Sequence, residues 1–205
     1  MNIIIIAKTH MKNGSCVGAL ADNGKFLRLL DEDGHNQPIN TDFEVRQIWG
    51  IEFKERNYMR PPHIEDVLVT SKKLKGTLKE EITMLEIVEK FNIPIWHGNP
   101  DALFDGKLNW THNGSGYINE ENGIPNNSVG FWIPDMNLTK RISPFDKIQY
   151  SYPNIDWRNF PYVGYSNSVD TILAGTLVRV SLARWWSKDQ NTAEACYLQL
   201  SGWYD

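Results

Sequence analysis

The spacing of turn residues between Ile3 and Gly34 constrains this chain more than any other feature, because it leaves room only for short strands. Ile3-Ile4-Ile5-Ile6-Ala7 is β-branched and reads as a strand buried on both faces. Lys12-Asn13-Gly14 turns the chain, and Cys16 to Leu20 returns it. Asp22-Asn23-Gly24 then supplies residues that tolerate the positive φ of a tight hairpin. Phe26 to Leu30 follows, closed by Asp31-Glu32-Asp33-Gly34. Three strands joined by two tight turns make a meander.

Val45 to Phe53 is the next strand, with Val45, Gln47, Trp49, Ile51 and Phe53 on one face. Pro61-Pro62 breaks the chain before a short strand from Ile64 to Val69. One prominent helix is expected from Thr77 to Phe91. Thr77 caps it, Glu80 completes a capping box, and Ile82, Leu85, Ile87 or Val88, and Phe91 form its apolar stripe. Residues 97–128, rich in Gly, Asn, Asp and Pro, read as an irregular insertion of the kind that is often functional or mobile. Strands resume at Val129 to Ile133, Lys147 to Tyr152, Thr176 to Trp186 and Ala195 to Tyr204. The expected fold is therefore mainly β: a first small barrel over residues 1–76, then helix, insertion and a second barrel over 77–205.

Catalytic and metal signatures are missing from this pattern. His10, His35, His63, His97 and His112 are dispersed, and neither Cys16 nor Cys196 has a partner at ligand spacing, so no metal is expected. No phosphate loop, dinucleotide fingerprint or nucleophile elbow occurs, so no cofactor or catalytic residue is assigned. His63-Ile64-Glu65-Asp66 gathers ionisable groups as an acid–base pair requires, although a strand edge after a double proline looks the same and is the stronger reading. No signal peptide or membrane-length apolar run is seen, and two separated cysteines fit a reducing cytoplasm. A formal charge of −4 argues against a general basic coat for duplex DNA and leaves room for a local basic patch.

The last two strands carry the most specific pattern. Val178, Val180 and Leu182 alternate with Arg179, Ser181, Ala183 and Trp185, while Cys196, Leu198 and Leu200 alternate with Tyr197, Gln199, Ser201 and Trp203. Paired antiparallel across the polar loop from Ser187 to Glu194, their non-core faces would join. That face would present Arg179, Ser181, Trp185, Tyr197, Gln199, Ser201 and Trp203. Rings beside an arginine and short hydrogen-bonding side chains suit base stacking with phosphate or base-edge contact. The alternative is that these aromatics pack against the helix or the other domain.

Gly175-Thr176-Leu177-Val178-Arg179-Val180-Ser181-Leu182-Ala183-Arg184-Trp185-Trp186, followed by Cys196-Tyr197-Leu198-Gln199-Leu200-Ser201-Gly202-Trp203-Tyr204, resembles the C-terminal signature of prokaryotic dual OB-fold domain proteins. Ile3 to Lys8, Ser15-Cys16-Val17-Gly18-Ala19, Pro62-His63-Ile64-Glu65-Asp66 and Val129-Gly130-Phe131-Trp132-Ile133-Pro134 agree with it. The resemblance implies two OB-like barrels and a non-catalytic nucleic-acid-binding module, accessory or sensing, in bacterial defence systems. It implies nucleic acid as partner, single-stranded in the leading reading, and protein partners within a defence complex. Where these proteins often carry Trp-Ile-Arg-Pro, this chain has Phe26-Leu27-Arg28-Leu29, so Arg28 is the matching position. OB barrels also bind proteins and small ligands. An interaction adaptor and a ligand sensor with residues 97–128 as a lid are therefore the alternatives.

Overall fold

The computed structural model describes residues 1–153, 158–190 and 192–204. The chain divides into two compact units, Met1–Ile93 and Pro94–Asp205, beyond the 76/77 step read from the sequence.

In the first unit, β1 (Asn2–His10), β2 (Ser15–Ala21), β3 (Phe26–Leu30), β4 (Gln47–Glu55) and β5 (Asp66–Thr77) close a barrel in the order β1-β2-β3-β5-β4. Only the β3–β5 pair is parallel. The meander forms as expected, with Gly24 at φ 82 in its second turn. Alternation fills the barrel with Ile3, Ile5, Val17, Ala19, Leu27, Leu29, Trp49, Ile51 and Val67. Ile6 and Ala7 are buried too, so the first strand is covered on both faces over that stretch. Val45 lies outside β4 and is exposed, in contrast to the face expected from alternation.

The helix, α1, spans Met84–Lys90, shorter than the expected Thr77–Phe91. Two Thr-x-x-Glu boxes occur here, and the second one caps: Thr83 Oγ1 accepts from the Glu86 amide at 3.2 Å, and the Thr83 amide donates to Glu86 Oε2 at 2.7 Å. Thr77 instead ends β5, paired with Gln47. The carbonyls of Lys79 and Ile82 are taken by the Arg46 guanidinium at 2.7 and 2.8 Å, so that stretch has a tertiary anchor in place of helical hydrogen bonds.

Among the described residues the second unit holds ten strands: β6 (Ile95–Gly98), β7 (Asn109–Trp110), β8 (Gly116–Ile118), β9 (Val129–Pro134), β10 (Leu138–Ile142), β11 (Ile148–Tyr152), β12 (Arg158–Pro161), β13 (Thr171–Ile172), β14 (Leu177–Leu182) and β15 (Cys196–Tyr204). They form two sheets, β6-β9-β14-β15-β8-β7 and β12-β11-β10-β13. Single parallel bridges, Ser115–Asn159 and Tyr162–Leu200, tie them into a curled wall around one core. Trp132 stacks on Phe160 at 5.3 Å there, and Tyr150 and Tyr162 pack against Trp203 at 5.7 and 5.2 Å. Trp132 and Trp203 are therefore packing residues of this core. The 97–128 segment is more structured than an irregular insertion. It carries a kinked 3₁₀ segment, Pro100–Gly106, and two short strands, and it buries Leu103, Phe104 and Ile118 completely.

Candidate nucleic-acid interface

Residues from the C-terminal strand pair do not share one exposed face. β14 and β15 do pair antiparallel, with Ser181 opposite Gln199 and Val180 opposite Leu200. A β-bulge then inserts one residue, so Arg179 faces Gly202 and Trp203 faces Val178. Simple alternation places Trp203 beside Tyr197; the bulge turns it to the Val178 side, where it packs against the core. Arg179 and Ser201 are buried, and Arg179 NH1 donates to Ser201 Oγ at 2.8 Å. That guanidinium is a structural element of the sheet, and its Nε–H has no acceptor among the described residues. Next to it, burial pushes the Tyr204 hydroxyl up to about 12, with the Arg179 charge acting in the opposite direction.

Alternation also stops early. β14 ends at Leu182, so the pattern does not extend to residues 183–186. Trp185 packs against the core cluster, and its neighbour Trp186 turns outward at 55% exposure. Trp186 meets the Tyr197 ring at 6.0 Å, and Tyr197 meets Tyr117 of β8 at 6.0 Å. Tyr197, Ser181 and Gln199 are half-buried. The arrangement is an aromatic edge with two amide- or hydroxyl-bearing neighbours. Its outermost ring is Trp186, which pattern reading could not separate from Trp185.

Arg28 occupies a different place. Its strand runs parallel to β5, and the register sets Arg28 opposite Asp66. The guanidinium forks onto the carboxylate, Nε to Oδ1 at 2.7 Å and NH2 to Oδ2 at 3.1 Å. Arg56 reaches the same carboxylate at 2.7 Å. Asp66 is thus the buried anchor of two cations, which supports the structural reading of the His63–Asp66 cluster; His63 and Glu65 are buried beside it in sequence. Two guanidiniums therefore converge on this one carboxylate. The loop from β4 to β5 adds Tyr58, fully exposed and held at φ 60. Arg56 and Tyr58 were invisible to pattern reading, since nothing in Glu55-Arg56-Asn57-Tyr58 indicates which loop of which barrel they occupy.

A closed five-stranded barrel in the order β1-β2-β3-β5-β4, with β3 and β5 parallel, is the OB arrangement. A family model described as a dual OB-containing domain matches residues 1–203. The chain belongs to that family. No curated protein matches this dual OB chain. Among solved structures, a murine DNA-binding protein bound with double-stranded DNA aligns over 98% of this chain and 91% of its own, at 12% identity and a TM-score of 0.29, below the level at which a shared fold follows. Among the described residues, no group of three or more His, Cys, Asp or Glu side chains could hold a metal ion, and no helix is long and apolar enough to cross a membrane. Cys16 is half-buried and Cys196 is buried.

Proposed function

We propose that this chain is a non-catalytic nucleic-acid-binding module, an accessory or sensing component of a bacterial defence system. One observation carries the reading. On the edge where OB barrels take oligonucleotides, Arg28 and Arg56 share the buried Asp66, beside the fully exposed Tyr58 ring. The carboxylate fixes both guanidiniums in place before any ligand arrives, so less side-chain entropy is lost when a phosphate binds. Tyr58 offers a ring on which a base can stack. The second unit by itself offers a separate aromatic edge, Tyr197 and Trp186, with Ser181 and Gln199. Residues 97–128 contribute fully buried side chains to a core, which argues against the lid of a ligand sensor.

The test is equilibrium binding of labelled single-stranded DNA and RNA to wild type, R56A and Y58A. Y58A should weaken binding by about 1–3 kcal/mol, and R56A should lower the salt slope by about 0.7 for a single strand. Unchanged affinity and slope in both variants would remove this edge from the interface.

A further inference from the structure

The second unit contains an open groove of about 1060 Å³, away from every residue that the C-terminal pattern selected. Small-molecule sites occupy about 300–1,000 Å³, so the volume and openness suit part of a polymer. Two hairpin tips form its walls. The β7–β8 turn, residues 111–115, is pinned to β12: the Asn159 amide donates to the Gly114 carbonyl at 2.7 Å, and Asn159 Nδ2 donates to the Asn113 carbonyl at 2.9 Å. The β10–β11 hairpin is the other wall, with Arg141 opposite Gln149 in register. Between them the floor is polar, where Ser151 Oγ donates to Asn159 Oδ1 at 2.6 Å.

The charge of this groove contrasts with the acidic chain. His112, Arg141, Lys147 and Arg158 line it, and among the described residues no carboxylate does. Arg158 is pre-arranged: its guanidinium carbon lies 4.6 Å from the Trp110 ring centroid, and the indole donates to Asp101 at 2.9 Å. The buried Arg158 Nε–H has no acceptor among the described residues, and its NH2 lies 3.9 Å from Asp101 Oδ1. At the hairpin tip Phe145 is 85% exposed, between Pro144 and Asp146, with Lys147 one residue further on. A bare aromatic ring near cations matches the face of an unstacked base.

We propose that this groove is a second binding site for single-stranded nucleic acid, with Arg141 and Lys147 on phosphates and Phe145 stacked on a base. The assignment rests on the nucleic-acid reading above, and it adds a site that the first-barrel edge does not include. A duplex hides its base faces and would leave Phe145 without a partner, so the exposed ring selects the single strand.

The test compares the full-length wild type with F145A, R141A/K147A, R56A/Y58A and the charge-matched surface control K25A/K90A. Each is titrated into a labelled mixed-sequence single-stranded oligonucleotide across a salt series. F145A should weaken binding at least about fivefold, the low end of one base stack. R141A/K147A should lower the salt slope by about 1.4, two phosphate contacts on a single strand. K25A/K90A should match wild type. Photocrosslinking of an iodouracil-substituted strand should label the peptide containing Phe145. If wild type binds but both groove variants match it, and only R56A/Y58A fails, the groove is not a site and the general reading survives. If wild type binds neither DNA nor RNA, both readings fall. Groove-dependent binding of polyphosphate equal to that of the oligonucleotide, without loss in F145A, would also overturn the assignment by showing a site for bare polyanions.

Discussion

Asp66→Asn should destabilise the first barrel far more than the loss of its exposed neighbour Arg56. The carboxylate is 1% exposed and holds Arg28, itself 19% exposed, through two hydrogen bonds. Removing one member of a buried pair costs about 3–5 kcal/mol, because the other charge stays behind without compensation. The residual exposure of Arg28 lets water recover part of that, and asparagine keeps one acceptor, which brings the expected loss to about 2–3 kcal/mol. Arg56 is 40% exposed, so its own pair with Asp66 should contribute no more than about 1 kcal/mol. Denaturant melts of wild type, D66N, R56A and the D66N/R56A double variant would measure this, with binding-independent probes such as far-ultraviolet circular dichroism. D66N should lower the midpoint at unchanged m-value, and R56A should shift it slightly. A D66N cost equal to or below that of R56A would refute the reasoning, because the bidentate buried contact would then carry no more than an exposed one.

Three further outcomes follow from the packing. Trp203→Ala removes a ring that packs on Tyr150 and Tyr162, so it should cost about 3 kcal/mol in thermal or chemical denaturation, the low end for a large-to-small core change. A Cβ at Gly130 would lie 2.2 Å from the Trp96 ring, which is packed on Phe104. Gly130→Ala should therefore cost about 1–3 kcal/mol and shift the tryptophan emission. Burial pushes the hydroxyls of Tyr152, Tyr162 and Tyr204 up to about 12, above the ordinary value of 10.0. The folded state then holds these protons where the unfolded chain has lost them. That part of the stability is complete below pH 10 and declines between pH 10 and about 12. Melts across that range should show the decline, and Tyr204→Phe should make it shallower; an unchanged slope would contradict the assigned burial.

Local chemistry made the first barrel largely legible. Asn23-Gly24 commits the chain to a hairpin whatever surrounds it, and alternation from Trp49 to Phe53 marks the inward side correctly. Where two local readings were equally good, tertiary contacts chose. Thr77 and Thr83 both begin a Thr-x-x-Glu box, and the pairing of β5 with β4 up to Gln47 takes the first one. The polar run Ser71-Lys72-Lys73-Leu74-Lys75 hid the length of β5, because that stretch is exposed and carries no apolar period. At the C-terminus the pattern identified both strands and their pairing but not the bulge, which inverts Trp203 through one unpaired residue. The groove had no sequence signature at all. Trp110 and Arg158 meet through the bridge between the β7–β8 turn and β12, and Phe145 sits on a turn whose sequence resembles many solvated loops.

Binding of a labelled single strand to the wild-type protein, followed by fluorescence anisotropy from low to moderate salt, tests the central claim most directly. Saturable binding of single-stranded DNA or RNA is expected, with log affinity falling linearly against log salt by about 0.7 per phosphate contacted. No binding of either nucleic acid at low salt, up to millimolar protein, would contradict the account.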